Sequence, residues 1–131
     1  MPPFPNIAHV TLTVRDLGRS VPWYQALFGA EPFVDESPGP FRRVVWLVEG
    51  ETVVGLHEFP DPADILDFNE RRMGLDHLAF RVRDRAELEQ WKSHIEDLGI
   101  AHGGIVEADY GLGLAFRDPD NIALEFFAPT I

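Results

Sequence analysis

His9-Val10-Thr11-Leu12-Thr13-Val14-Arg15-Asp16 returns 68 residues later as His77-Leu78-Ala79-Phe80-Arg81-Val82-Arg83-Asp84. The same offset carries Trp23 onto Trp91. It also carries Val54-Gly55-Leu56-His57-Glu58-Phe59 onto Ile122-Ala123-Leu124-Glu125-Phe126-Phe127. A repeat of this length is one supersecondary unit used twice. It sets four metal-competent side chains, His9, His57, His77 and Glu125, at two matched points of two matched units. Duplication for stability alone would explain a repeated core. It does not explain histidine at both copies of one strand position.

Working outward, each copy reads as β-α-β-β-β. In module one, about residues 7–59, Ile7–Val14 alternates and is β-rich, which predicts a strand. Gly18–Phe28 has helical apolar spacing, with Pro22 tolerated in the first turn and Gly29 as the C-terminal cap. Glu31–Asp35, Phe41–Val48 and Thr52–Phe59 are strand candidates, the last two joined by the hairpin connection Glu49-Gly50-Glu51. In module two, about residues 75–128, Leu75–Val82 is a strand. Arg85–Leu98 is a helix with Leu88, Trp91 and Ile95 on one face and Gly99 as its stop. Ala101–Val106, Gly111–Phe116 and Ile122–Ala128 are strands, with Asp118-Pro119-Asp120-Asn121 as a turn before the last. The connector, residues 60–74, is polar and is expected to carry a short helix around Ile65–Arg71. The expected class is α+β, in one domain over residues 1–131.

Composition narrows the function classes. The chain has no cysteine, which excludes disulfides and thiolate metal sites and is compatible with a reducing compartment. No secretory leader is evident at Met1-Pro2-Pro3-Phe4-Pro5-Asn6, and no apolar run is long enough for a transmembrane helix. The expected location is cytoplasmic, with no membrane partner. A net charge of −11 disfavours binding to a phosphate backbone, so no nucleic-acid partner is expected.

Strand alternation assigns the faces. His9, Thr11 and Thr13 face one way, and the apolar Val10, Leu12 and Val14 face the other. His77, Ala79 and Arg81 oppose Leu78, Phe80 and Val82 in the same manner. Gly55, His57 and Phe59 share a face, as do Ala123, Glu125 and Phe127, while Leu56 and Leu124 turn to the core. All four candidate ligands thus lie opposite the apolar faces. Three imidazoles and one carboxylate suit zinc, iron, manganese, nickel or cobalt better than calcium. Thr11, Phe59, Arg81 and Phe127, on the same faces, are the candidate substrate contacts. His94 and His102 have no matched partner and are expected at the surface.

These residues resemble the vicinal oxygen chelate superfamily. It includes glyoxalase I, extradiol dioxygenases, methylmalonyl-CoA epimerase, fosfomycin-resistance enzymes and bleomycin-resistance proteins. The resemblance spans essentially the whole chain: the opening His9–Asp16, the Ser20–Gly29 helix with Trp23-Tyr24, Asp76-His77-Leu78-Ala79-Phe80, and Asp118-Pro119-Asp120-Asn121 with Leu124-Glu125-Phe126. It implies two tandem βαβββ modules forming a cupped, half-barrel-like sheet with helices outside, around one divalent transition metal. By position it implies His9, His77 and Glu125 as the shared ligands. It sets His57 where glyoxalase I has a glutamate ligand, a departure from the glyoxalase pattern. No counterpart to the recognisable fosfomycin-site loops is found. The metal ligands that bleomycin-binding members lack are kept.

The expectation is a metal-dependent enzyme whose small-molecule substrate chelates the ion through adjacent oxygens. Its chemistry is glyoxalase-like lyase or isomerase, or extradiol-dioxygenase-like. Glu125 also serves as proton carrier in the glyoxalase resemblance. The alternative is a binding protein that sequesters a small ligand without turnover. A homodimer is expected, because C₂ pairing is the commonest closure. The complete site could be built within one chain or shared between two.

Overall fold

Period-two alternation builds both sheets, and the computed structural model describes them within residues 1–130 of the 131-residue chain. Packing divides the chain into two compact units, Met1–Ile65 and Leu66–Ile131. Each carries the βαβββ order that the repeat predicts.

In the first unit the strands are β1 (His9–Thr13), β2 (Val34–Glu36), β3 (Arg42–Val48) and β4 (Thr52–Glu58), with α1 (Leu17–Phe28) after β1. The sheet order is β1-β4-β3-β2. β1 runs parallel to β4, and the other pairs are antiparallel. Asp16 caps α1 by accepting from the Gly18 amide at 2.8 Å, and Glu58 accepts from the Leu17 amide at 2.8 Å. Both carboxylates lie where the first-turn amides need acceptors. The helix begins one residue earlier than expected, which puts Pro22 beyond its first turn. There the ring cannot donate to the Gly18 carbonyl. Gly29, at φ 63°, ends the helix in the left-handed conformation. Glu49 and Gly50, at φ 53° and 70°, form the tight turn between β3 and β4.

The core of this unit is Leu12, Val14, Leu17, Tyr24, Leu27, Val44, Trp46, Val54 and Leu56. Tyr24 and Phe28 pack on Trp46, with ring centroids 6.4 and 5.6 Å apart. The Trp46 indole donates to the Ala30 carbonyl at 3.0 Å. One sheet face therefore carries the helix, and the other, with His9, Thr11 and Thr13 exposed, is open.

In the second unit β5 (Leu78–Arg81), β6 (His102–Ala108), β7 (Gly111–Arg117) and β8 (Ala123–Pro129) form the order β5-β8-β7-β6, with α2 (Arg85–Asp97) after β5. Val82, Leu88, Ile95, Leu114, Phe116, Leu124 and Phe126 form its core. Trp91 stacks on Phe126 at 4.4 Å and 18°. Each fully buried apolar side chain of this kind contributes roughly 1.5–3 kcal/mol, so stability resides on the helix-covered face.

The helix expected around Ile65–Arg71 does not form; those residues are irregular, with turns near Glu70–Gly74. Tertiary anchors take its place. The Phe68 amide donates to the Asp120 carbonyl at 2.9 Å, and the Asn121 side chain donates to the Phe68 carbonyl at 2.9 Å. Arg117 forms a two-pronged pair with Glu70 at 3.0 and 3.2 Å. The turn is itself held by Asp118, which accepts from the Asp120 and Ile122 amides, each at 2.8 Å. Among the described residues no helix is long and apolar enough to cross a membrane.

Candidate functional site

The open face of the second unit holds a histidine–carboxylate pair. Ala79 pairs with Glu125 across β5 and β8, and Ala115 pairs with Glu125 across β7 and β8. Two alanines thus flank the carboxylate. A Cβ built on Gly113 would lie 3.3 Å from the Glu125 carboxyl carbon, so the glycine leaves the space that this side chain occupies. His77 immediately precedes β5 and is exposed. Continuing the register places it beside Ala123, two residues from Glu125, or about 7 Å along the strand.

His77 has a built-in orienting partner. Its Nδ1 lies 2.8 Å from the Asp76 carboxylate, which leaves Nε2 as the outward donor. A carboxylate behind a metal-binding imidazole fixes the ring and raises its basicity. Reading strands for alternation missed this role, although Asp76 stands next to His77 in the chain.

The first unit does not reproduce the arrangement. Thr11, the repeat counterpart of Ala79, pairs with Gly55. Thr13, the counterpart of Arg81, pairs with His57, whereas Arg81 pairs with Phe127. The position equivalent to Glu125 by strand pairing is therefore Gly55, and His57 is equivalent to Phe127. This corrects the sequence alignment, which set His57 over Glu125. The register has slipped by two residues, which keeps His57 on the open face but moves it along the strand. His9 pairs with Val53, so His57 stands four residues farther on, about 13 Å along the sheet. That separation is too large for both imidazoles to bind one ion at ordinary zinc–nitrogen distances of about 2 Å.

The donor set that fits a transition ion is thus His77 and Glu125, oriented by Asp76 and cleared by Gly113, with exposed His9 as the further imidazole. Among the described residues, neither unit alone gathers three potential ligands at one point.

His57 has other neighbours. Its ring lies 4.7 Å from that of Phe41 and 5.9 Å from that of Phe59, and Phe41 and Phe59 are 5.1 Å apart. Arg43, its cross-strand partner on β3, is paired with Glu36. Burial, and then the nearby Arg43 charge, hold the His57 imidazole below its ordinary pKa. Phe41 and Arg43 escaped the sequence reading because their closeness to His57 depends on the β3–β4 register.

The proposed substrate contacts occupy their expected faces. Thr11 is exposed above Gly55, whose added Cβ would meet the Thr11 hydroxyl at 3.1 Å. Arg81 is exposed at the end of β5. Phe127 lies over Gly111, with Tyr110 5.9 Å away. Phe59 joins the ring cluster beside His57. His102, expected at the surface, is half-buried, and its Nδ1 accepts from the Gly104 amide at 2.9 Å. It braces the irregular pairing of β6, where Gly104 adopts φ 78°.

The model for the Glyoxalase/Bleomycin resistance protein/Dioxygenase superfamily matches residues 6–126. A structure of a glyoxylase/bleomycin resistance protein/dioxygenase domain from Frankia sp. EAN1pec is 33% identical, with a TM-score of 0.86 over 97% of this chain and 99% of that one. The metallothiol transferase FosB of Staphylococcus saprophyticus is 25% identical over 96% of this chain and 78% of its own length. "Putative ring-cleaving dioxygenase MhqA" of Bacillus subtilis (strain 168) is 42% identical over 62 residues, which are 45% of this chain and 20% of that protein. The fold is also shared with the fosfomycin resistance protein FosX of Listeria monocytogenes, solved with Mn(II) and 1S,2S-dihydroxypropylphosphonic acid. That match has 23% identity and a TM-score of 0.71 over 98% of this chain and 93% of that one.

Proposed function

The chain belongs to the glyoxalase/bleomycin resistance protein/dioxygenase superfamily, and within it we propose a metal-dependent enzyme acting on a small molecule with two adjacent oxygens. On this reading His9, His77 and Glu125 hold one divalent transition ion. The bound ion would supply Lewis-acid stabilisation of negative charge on the substrate oxygens. Asp76 keeps the His77 ring in one tautomer and orientation. Gly113 keeps the Glu125 carboxylate seated. Glu125 is also the group positioned to accept or return a proton at its carboxyl oxygens. Arg81 serves as a clamp for an anionic substrate group, and Thr11 contributes a hydroxyl on the open face. The observation that carries the proposal is the Asp76–His77 pair on the same open face as Glu125, which lies in a space cleared by glycine.

Because neither unit supplies three donors by itself, a complete site needs one unit of each kind. We place it in a homodimer, either within each chain or shared across the pair. Mixing His9→Ala chains with Glu125→Ala chains distinguishes the two, because only a shared site regains metal in the heterodimer.

Metal analysis of protein dialysed without chelator tests the reading. About one transition ion per site is expected, with sharp losses in His9→Ala, His77→Ala and Glu125→Ala and unchanged circular dichroism. Full occupancy in all three variants would overturn it. A metal-free protein that still binds a small molecule would instead support ligand sequestration.

A further inference from the structure

The open face of the first unit carries a second set of side chains that the metal reading leaves unused. Thr13, His57, Arg43 and Glu36 stand in one cross-strand row over β1, β4, β3 and β2. Beside the row, Phe41, His57 and Phe59 are in mutual ring contact, with centroids 4.7, 5.1 and 5.9 Å apart. All three rings are only partly covered. The Arg43 guanidinium lies 6.0 Å from the Phe41 ring centre and is ion-paired with Glu36. None of these groups supports the core, which is on the other side of the same strands.

We infer that Phe41, His57 and Phe59 form a ring-binding subsite that selects an oxygenated aromatic substrate. The inference rests on the metal-enzyme reading, since it assigns the substrate class of the same open face. Two phenylalanine rings tilted 36° to one another give a flat ring offset-stacked and edge contacts. His57 offers one ring nitrogen to a substituent oxygen of that ring, as donor or acceptor according to its tautomer. Thr13, on its β1 side, adds a hydroxyl. A saturated ring of the same size would lose the stacking and keep only the apolar contact. His57 therefore touches substrate rather than metal. This assigns a role to the histidine that the register removes from the coordination sphere.

The test compares salicylate with cis-2-hydroxycyclohexanecarboxylate, which carries the same adjacent oxygens on a saturated ring. Binding is measured by calorimetry on protein as purified and after dialysis against a chelator. Salicylate is expected to bind about tenfold more tightly. The preference should fall to near unity in Phe41→Leu/Phe59→Leu, which keeps apolar bulk and so preserves the fold. His57→Gln should weaken salicylate several-fold while metal content stays at the wild-type level. Equal affinity of the wild type for the two compounds would overturn the subsite, as would a preference that survives in the double variant. Loss of metal in His57→Gln comparable to that in His77→Ala would overturn the role given to His57. A failure of the metal reading registers separately, as absence of a bound ion in purified protein. The ring preference of the chelator-treated protein stands or falls without it.

Discussion

Gly55 occupies in β4 the register position that Glu125 occupies in β8, each two residues along from the level of its unit's histidine. The first unit therefore offers a ready place for another carboxylate. Thr11 crowds it, since an added Cβ would meet the threonine hydroxyl at 3.1 Å. Gly55→Glu combined with Thr11→Ala is expected to raise metal affinity about tenfold or more, measured by competition with a chromophoric chelator. Unchanged affinity would show that Gly55 does not border the ion. Gly55→Glu alone should gain less.

Asp76→Ala should leave His77 in place and yet lower metal affinity by about 10–100-fold. The change removes the 2.8 Å contact to Nδ1, and the ring is then free to rotate. His94→Ala is the control, since it lies on α2 with its ring against Trp91. Equal affinity in Asp76→Ala and the wild type would remove the orienting role.

Gly113→Val puts carbon where the Glu125 carboxyl group lies, within 3.3 Å of the new Cβ. The expected result is about a tenfold loss of metal affinity with thermal stability nearly unchanged, because valine suits a strand. An unfolded variant would show that the glycine is needed for packing rather than for the carboxylate. Gly113→Ala then separates the two effects.

His57 should titrate below 6.5, because burial and Arg43 disfavour its cation. The unfolded state then binds more protons than the folded state between the two pKa values. The resulting stability is fully present above about pH 6.5 and is lost as pH falls through the lower folded value. Proton NMR of the ring checks the titration, and urea unfolding at pH 5 and pH 8 checks the sign. His57→Gln should show a smaller difference between the two pH values. An imidazole titrating at or above 6.5 would contradict the proposed environment.

Glu70 should stay ionised far into acid. Hydrogen bonds from Arg117, and then from its own backbone, lower its pKa to about 2. Its contribution is present above the ordinary carboxylate value and is lost as pH falls through about 2. Carbon-13 NMR of the carboxyl group reads this directly. In Arg117→Gln the midpoint should return toward 4.5.

Most of the fold was legible because both periods are strongly written. Leu12, Val14, Leu56 and Leu124 alternate with polar or small residues, and Leu88 and Ile95 recur on one helical face. The Gly29 cap follows from a conformation that glycine adopts freely. The faces of His9, His77 and Glu125 were legible for the same reason. The pairing of β1 with β4 was not, since a slip of two residues keeps every side chain on its own face. Apolar patterning is blind to an even shift, and so His57 was aligned with Glu125. The connector was misread because its order comes from Phe68, Glu70 and Asn121 reaching β7 and the turn before β8. Helical periodicity contains no trace of those long-range bonds.

On β7, Leu114 and Phe116 are buried while Ala115, between them, is exposed beside Glu125. Adjacent residues thus answer to different selective pressures. Descendants of this chain can enlarge Ala115 one methyl group at a time, or trade Thr11 and Val45 on the matching face, without reopening the core. Such a strand lets a lineage try new substrates while its folding stability stays nearly constant. Diversification of chemistry on one conserved scaffold is then limited by what arrives at the open face rather than by the cost of keeping the protein folded.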